Sequence, residues 1–344
     1  PRPWWRQWLV WVGFAVSALA ACTFLYLFDL RNVATAISRL EAWVLLPGAL
    51  GIIIAFRLRA LRWQLLLKPV HAAPYHQVRD VLLTGFMANN VLPARAGELA
   101  RALVLWRVTG ASRRATLTTV AMERLLDIIT LVAILTLVGL LFQVPVWARG
   151  LGTVTMVLLL GITVGVVWMA FHHRSLFRVA EVMLFFLPAA FRKRVLDFMA
   201  RFVDGTRALR DPRLTGLALL CSALIWAAEV GVFWVVMYGL GLDLPAWSAA
   251  FVLVVANFGI AAPSAPGHVG TFDAACSGAL AVLGVAGPQA LAFALVLHVL
   301  LFTVVTGNGL LAMWRLELRL ADMGRAGPAE APPEESESTR SDPS

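Results

Sequence analysis

The chain alternates long apolar runs with short polar connections. Runs long enough to approach a membrane span cover about 8–28, 42–56, 117–142, 151–171, 214–240 and 288–313. A helix needs about 20 apolar residues to cross the hydrocarbon core, so these runs predict six crossings, with 42–56 short enough to require its flanks. Two further apolar segments, 80–106 and 246–284, are interrupted near the middle, the first by Pro93 and Gly97, the second by Pro263, Pro266, Gly267 and Gly270. Proline and glycine are the residues that end helices. Each segment therefore predicts a pair of half-helices that enters the membrane and returns.

The order span, span, broken pair, span over 8–142 recurs over 151–313, starting from the opposite side. That is the pattern of an inverted-topology repeat, which in transporters places a substrate site where broken helices of the two halves meet. Both breaks carry a P-x-x-x-G spacing and an upstream Ala-Asn, at Ala88-Asn89 and Ala256-Asn257. The expected fold is an all-α polytopic membrane domain over 1–320, with a disordered Pro/Glu/Ser-rich tail over 321–344.

Composition and charge sharpen this picture. Of 344 residues, 60% are apolar and 14% charged, against about 25% charged in soluble domains. A net charge of +9 would suit nucleic acid, but most of the 29 lysines and arginines fall in short connections between apolar runs, as the positive-inside rule requires. Nucleic acid is excluded as a partner. The N-terminus, 57–79 (including Arg57, Arg59 and Arg62), 107–114, 172–213 and the tail are expected on the cytoplasmic side of the inner membrane, with both termini inside. Within 174–213, Phe191, Val195, Phe198 and Phe202 share a helical face beside Arg192, Lys193, Arg194 and Arg201, as in a helix lying on an anionic leaflet or packed on the protein. The run after Arg6 is too long for a signal h-region and reads as an uncleaved first span. Cys22, Cys221 and Cys276 sit singly in apolar stretches, so neither disulfide nor metal site is expected.

Polar residues inside apolar segments carry the candidate chemistry. Non-helical backbone at membrane depth must be buried in protein or line a wet cavity. At the first break, "NNVLPARAGELARA" supplies Asn89, Asn90, Pro93, Arg95, Gly97, Glu98 and Arg101. A helix starting near Ala94 would aim amide groups and a partial positive charge at the break. Arg95 would offer a forked donor to a phosphate, with Glu98 holding Arg95 or Arg101 or exchanging a proton. Mutual neutralisation of Arg95, Glu98 and Arg101 is the purely structural alternative. "MERLLD" places Glu123 and Asp127 on one helical face with Arg124 within reach of Asp127. Charges there cost roughly 2.5–3.5 kcal/mol at a span centre, so they should face the interior, with Glu123 partly solvated and able to clasp the basic residues of the first break. At the second break, Asn257, Pro263, Ser264, Pro266, Gly267, His268, Gly270 and Asp273 line the glycine-rich turn. His268 and Asp273 are candidates for a proton relay. His298 reads as a helix-to-helix hydrogen-bonding group, and Glu229 has no partner evident from sequence.

"NNVLPARAGELARA", "MERLLD" and "PSAPGHVGTFDAA", in this order and over about 8–318, resemble the lysylphosphatidylglycerol synthase transmembrane region, also called the flippase-like domain family. The resemblance implies a membrane protein that moves or presents a lipid between leaflets. In those synthases a soluble aminoacyl-transferase domain follows the membrane part. Here only 321–344 follow, so synthesis of lysylphosphatidylglycerol by this chain is not expected.

The reading that results is a non-enzymatic translocase of an anionic phospholipid or polyprenyl-phosphate-type lipid, with membrane lipids as partners, no cofactor, and self-association left open. No Walker motif occurs, so ATP is not expected as the direct energy source. A membrane-embedded transferase using a lipid-linked donor, with Glu98 or Asp273 as base, is the alternative from another class. An accessory scaffold is the third.

Overall fold

A computed structural model describes residues 30–92, 96–142, 211–261 and 264–318, with isolated helical positions between 15 and 23. All regular structure among the described residues is helical. The helices are α1 (Leu30–Ser38), α2 (Leu45–Leu67), α3 (Tyr75–Val91), α4 (Gly97–Thr109), α5 (Arg113–Leu141), α6 (Pro212–Gly239), α7 (Trp247–Ala261), α8 (Thr271–Val282) and α9 (Gly287–Arg315), with 3-10 turns at Ala42–Val44 and Pro266–His268. The expected spans 8–28 and 151–171, the amphipathic stretch in 174–213 and the tail lie outside the described residues, apart from the isolated N-terminal positions and the start of α6.

Among the described residues, four helical stretches are long and apolar enough to cross a membrane: Ala42–Leu67, Arg113–Leu141, Pro212–Gly239 and Gly287–Arg315. The chain is a polytopic helical membrane protein. The second span runs well beyond 56, because α2 continues through Arg57, Arg59 and Arg62 to Leu67. Arg59 and Arg62 are buried, so they are not loop charges, and the orientation expected for 57–79 rests on the remaining basic residues. Their charges are tolerated inside because carboxylates of other helices meet them.

Both broken segments form helix pairs, α3/α4 and α7/α8. α3 ends where Leu92 turns extended (φ −96°, ψ 141°), the backbone favoured before a proline. The arms then cross at very small residues. A Cβ added to Gly97 would lie 2.0 Å from the Gly85 carbonyl oxygen, and one added to Gly259 would lie 2.4 Å from the Ala275 Cβ. Gly85 opposite Gly97 and Arg101 therefore corresponds to Gly259 opposite Thr271 and Ala275. Measured from these crossings, Asn89 follows its glycine by four residues whereas Asn257 precedes its glycine by two. The shared Ala-Asn dipeptides are not equivalent positions.

The packing repeats when the halves are exchanged. α2 and α6 pack along each other, each also packs on the first arm of its own half's pair, and the closing helix of each half packs on the first arm of the other's (α9 on α3, α5 on α7). The largest apolar core lies within this arrangement, built from α6 to α9 with Ile52, Leu131 and Val138 from the first half. A second core surrounds Trp63 between α2, α3 and α4.

Candidate functional site

A cavity of about 400 Å³ opens between the halves. One part of its wall is apolar, including Ile128, Leu131, Val232, Phe233, Leu253, Leu301 and Val305; the other presents Arg59, Asn89, Asn90, Glu98, Arg124, Asp127, Glu229, Asn257, Gly267, His268 and His298. Such a wall suits a molecule with a polar end and a hydrocarbon body.

The charged part is one network. The Arg59 guanidinium on α2 contacts Glu229 on α6 at 2.5 Å and Asp127 on α5 at 3.5 Å. Arg62 reaches Asp127 at 2.8 Å and donates to the Ser222 hydroxyl at 2.8 Å. Arg124 approaches Asp127 at 3.5 Å and donates to Glu98 on α4 at 3.0 Å. Behind the wall, Arg101 on α4 makes a forked contact with Glu123 on α5, at 2.8 and 3.2 Å, while its guanidinium carbon lies 4.0 Å from the Trp63 ring centroid. Four guanidiniums thus meet four carboxylates. Unpaired, each would cost several kcal/mol in a dry interior.

Of this network, Arg59, Arg124, Glu98, Asp127 and Glu229 line the cavity, and Arg62 balances Asp127 from behind the wall. Neither Asp127 oxygen accepts a hydrogen bond from the described groups; its arginine neighbours meet it as ion pairs. Both oxygens are buried among Arg59, Arg62 and Arg124.

The other polar side is built at the second break. Gly267 (φ 73°) and His268 (φ 63°) are consecutive residues in the left-handed region, which glycine adopts freely and histidine does not. His298 on α9 bridges two acceptors: its Nδ1 lies 2.9 Å from Asp273 Oδ1 and its Nε2 lies 2.9 Å from the Gly267 carbonyl oxygen. The other Asp273 oxygen accepts from the Gly270 amide at 2.9 Å. Ser264 Oγ lies 3.2 Å from His268 Nδ1. A Cβ on Gly267 would come within 3.5 Å of the Asn90 carbonyl, so the second break abuts the end of α3.

These positions sort the residues expected from sequence. Asn89, Asn90, Glu98, Arg124, Asp127, Asn257, Gly267 and His268 line the cavity. Gly97, Arg101, Glu123, Gly270 and Asp273 lie buried outside its lining, and Ser264 and Pro266 flank it. Pro93, Arg95 and Pro263 lie outside the described residues. Three local expectations change. α4 starts at Gly97, not near Ala94, and its first amide donates to Asn89 Oδ1 at 2.8 Å. Glu98 pairs with Arg124, since Arg101 is taken by Glu123. Glu123 has no solvent exposure, so it is not partly solvated. Sequence reasoning did not place Arg59 or His298 in the site or give Glu229 a partner. Spacing along one chain carries no signal for a partner 170 residues away, as between Arg59 and Glu229.

A sequence profile for the lysylphosphatidylglycerol synthase transmembrane region matches residues 10–309. The chain belongs to that family. The match covers both broken pairs, α5, α9 as far as residue 309, and every cavity-lining residue. The chain is also similar to a protein of Haloferax volcanii named Glycosyltransferase AglD, with 23% identity over 366 aligned positions that cover 93% of this chain and 58% of the relative. It thus spans little more than half the length of that curated relative. No solved structure matches the chain.

Proposed function

We propose that this protein is a lipid translocase of the inner membrane, in which the cavity between the halves receives a phosphate-bearing head group while the acyl chains stay in the bilayer. The single observation that carries this reading is the cavity wall, apolar on one part and lined by exchangeable ion pairs on the other. A phosphate entering it takes Arg59 and Arg124 from Glu229 and Glu98, since a guanidinium binds phosphate by the same fork it offers a carboxylate. The released Glu229 and Glu98 then accept from hydroxyl or ammonium groups. Their release favours an anionic phospholipid whose head group presents such donors over a bare polyprenyl phosphate. Membership of a family defined on a lipid synthase's membrane region supports a lipid as cargo.

The test is reconstitution in phosphatidylethanolamine/phosphatidylglycerol vesicles carrying fluorescent phosphatidylglycerol, followed by membrane-impermeant quenching. Protein-dependent exposure of inner-leaflet probe is expected, with loss of at least tenfold in rate for Arg59→Lys, which keeps charge but loses the planar fork. Vesicles with protein that behave like empty ones would overturn the proposal. A second reading, a membrane-embedded transferase, is favoured by the name of the Haloferax relative. Chemical turnover of a lipid-linked sugar by the purified chain would establish it.

A further inference from the structure

We propose that the His298–Asp273 pair is the proton-binding site that energises lipid movement, an inference that rests on the translocase reading above. The argument is a proton count. Both ring nitrogens of His298 lie 2.9 Å from acceptors, the Asp273 carboxylate and the Gly267 carbonyl. A carbonyl has no proton to give, so Nε2 must donate to it. The Nδ1 contact needs a second proton, placed on the ring or on the carboxyl. The pair in this geometry therefore holds two protons and is formally neutral overall, as imidazolium with carboxylate or imidazole with carboxylic acid. The Gly270 amide already occupies the other carboxylate oxygen, which fixes the carboxyl group against rotation.

Removing one proton to water in the cavity leaves one proton for two contacts. The charge-assisted contact to Asp273 is the stronger, so the remaining proton stays on Nδ1 and the Gly267 carbonyl loses its donor. That carbonyl belongs to the left-handed Gly267–His268 turn, whose backbone is held in a region unfavourable for a non-glycine residue. Deprotonation thus releases α9 from a strained turn that lines the cavity and abuts Asn90 of the other half. Proton release and reshaping of the polar wall become one event.

Other charged groups are placed so as not to supply that proton directly. Across the cavity stand Arg59 on α2, Glu229 on α6, Glu98 on α4, and Arg124 and Asp127 on α5, each engaged with an opposite charge. His268 of the turn faces the same space. α3 contributes only uncharged Phe86, Asn89 and Asn90 to the wall; its Arg79–Asp80 pair meets Arg315, about 25 Å further along α9 by helical rise. Arg62 on α2 is held by Asp127 and Ser222, and Arg31 on α1 is exposed. Phe272 packs edge-on to the His298 ring, 5.1 Å between centroids, leaving the cavity as the proton's route.

Two measurements test this. In nanodiscs, nitrogen-15 histidine spectra of the unaltered protein, with His298 assigned by comparison with His298→Gln, are followed from about pH 5 to about pH 9. A transition of the His298 ring to a singly protonated, Nδ1–H form is expected; a ring unchanged over that range overturns the proposal. In phosphatidylethanolamine/phosphatidylglycerol vesicles with fluorescent phosphatidylglycerol and the potential clamped, a one-unit pH gradient should build about a tenfold leaflet asymmetry for one proton per lipid. His298→Gln and Asp273→Asn should build none, a ratio independent of their downhill rates. Movement without gradient-driven asymmetry in the unaltered protein, or equal asymmetry in the variants, overturns the coupling and leaves the translocase reading standing. No lipid movement at all in the unaltered protein refutes the translocase reading and the coupling with it.

Discussion

At the first break the chain places Arg101, Glu98 and, through α5, Glu123, Arg124 and Asp127, and every one of these charges is answered by another. At the second break it places Gly267, His268 and Asp273, held to the last span by one imidazole ring. The two pairs of half-helices occupy corresponding places in a packing that maps onto itself when the halves are exchanged, yet their attachments differ in kind. The Arg101–Glu123 pair that anchors the first break holds its shape unless a charge is deleted, because opening it exposes a buried ion. A hold made by a ring and a carbonyl changes with one proton. The first break therefore reads as the fixed wall of the cavity and the second as the wall that moves.

Deleting a charge at the fixed wall should produce the largest effect on stability. Arg101→Ala leaves Glu123 buried and unpaired and is expected to cost about 3–5 kcal/mol, measured by reversible unfolding in mixed micelles with tryptophan fluorescence. Arg101→Leu combined with Glu123→Leu should recover most of that loss. Asp273→Asn, nearly isosteric, should cost distinctly less. An equal cost at both sites would break the distinction between a fixed and a movable wall.

Crossing geometry comes next. Gly97→Ala drives a methyl to within 2.0 Å of the Gly85 carbonyl, and Gly259→Ala drives one to 2.4 Å from the Ala275 methyl. Overpacking of this kind costs about 1–3 kcal/mol, and the first change should lie at the upper end, since backbone cannot rotate away. The reverse order in the same unfolding assay would show that the second pair is the tighter one.

Smaller effects sharpen the comparison further. Asn89→Ala removes the acceptor of the Gly97 amide and is expected to cost about 1 kcal/mol. Glu98→Gln breaks a pair whose side chains are 41% and 37% exposed, so a stability change of under about 1 kcal/mol is expected. Its effect should appear instead in the rate of lipid transfer. A large stability loss with unchanged transfer would assign Glu98 to the fixed network alone.

Apolar run length and the positions of proline and glycine were sufficient to give the helical membrane architecture and the two broken pairs, because helix length and helix breaking are local properties. The cost of charge at membrane depth marked Glu123, Arg124 and Asp127 as residues needing an interior setting. Which charge meets which was decided only by the fold. Arg59 resembled a loop charge until α2 proved to run on to Leu67, and Glu229 gained a partner only when α2 and α6 packed side by side. His298 became part of the second break through its contact with Gly267, 31 residues away. Sequence spacing specifies the face of a helix, but a buried charge selects its partner by distance in space, and that distance exists only after the two halves have packed.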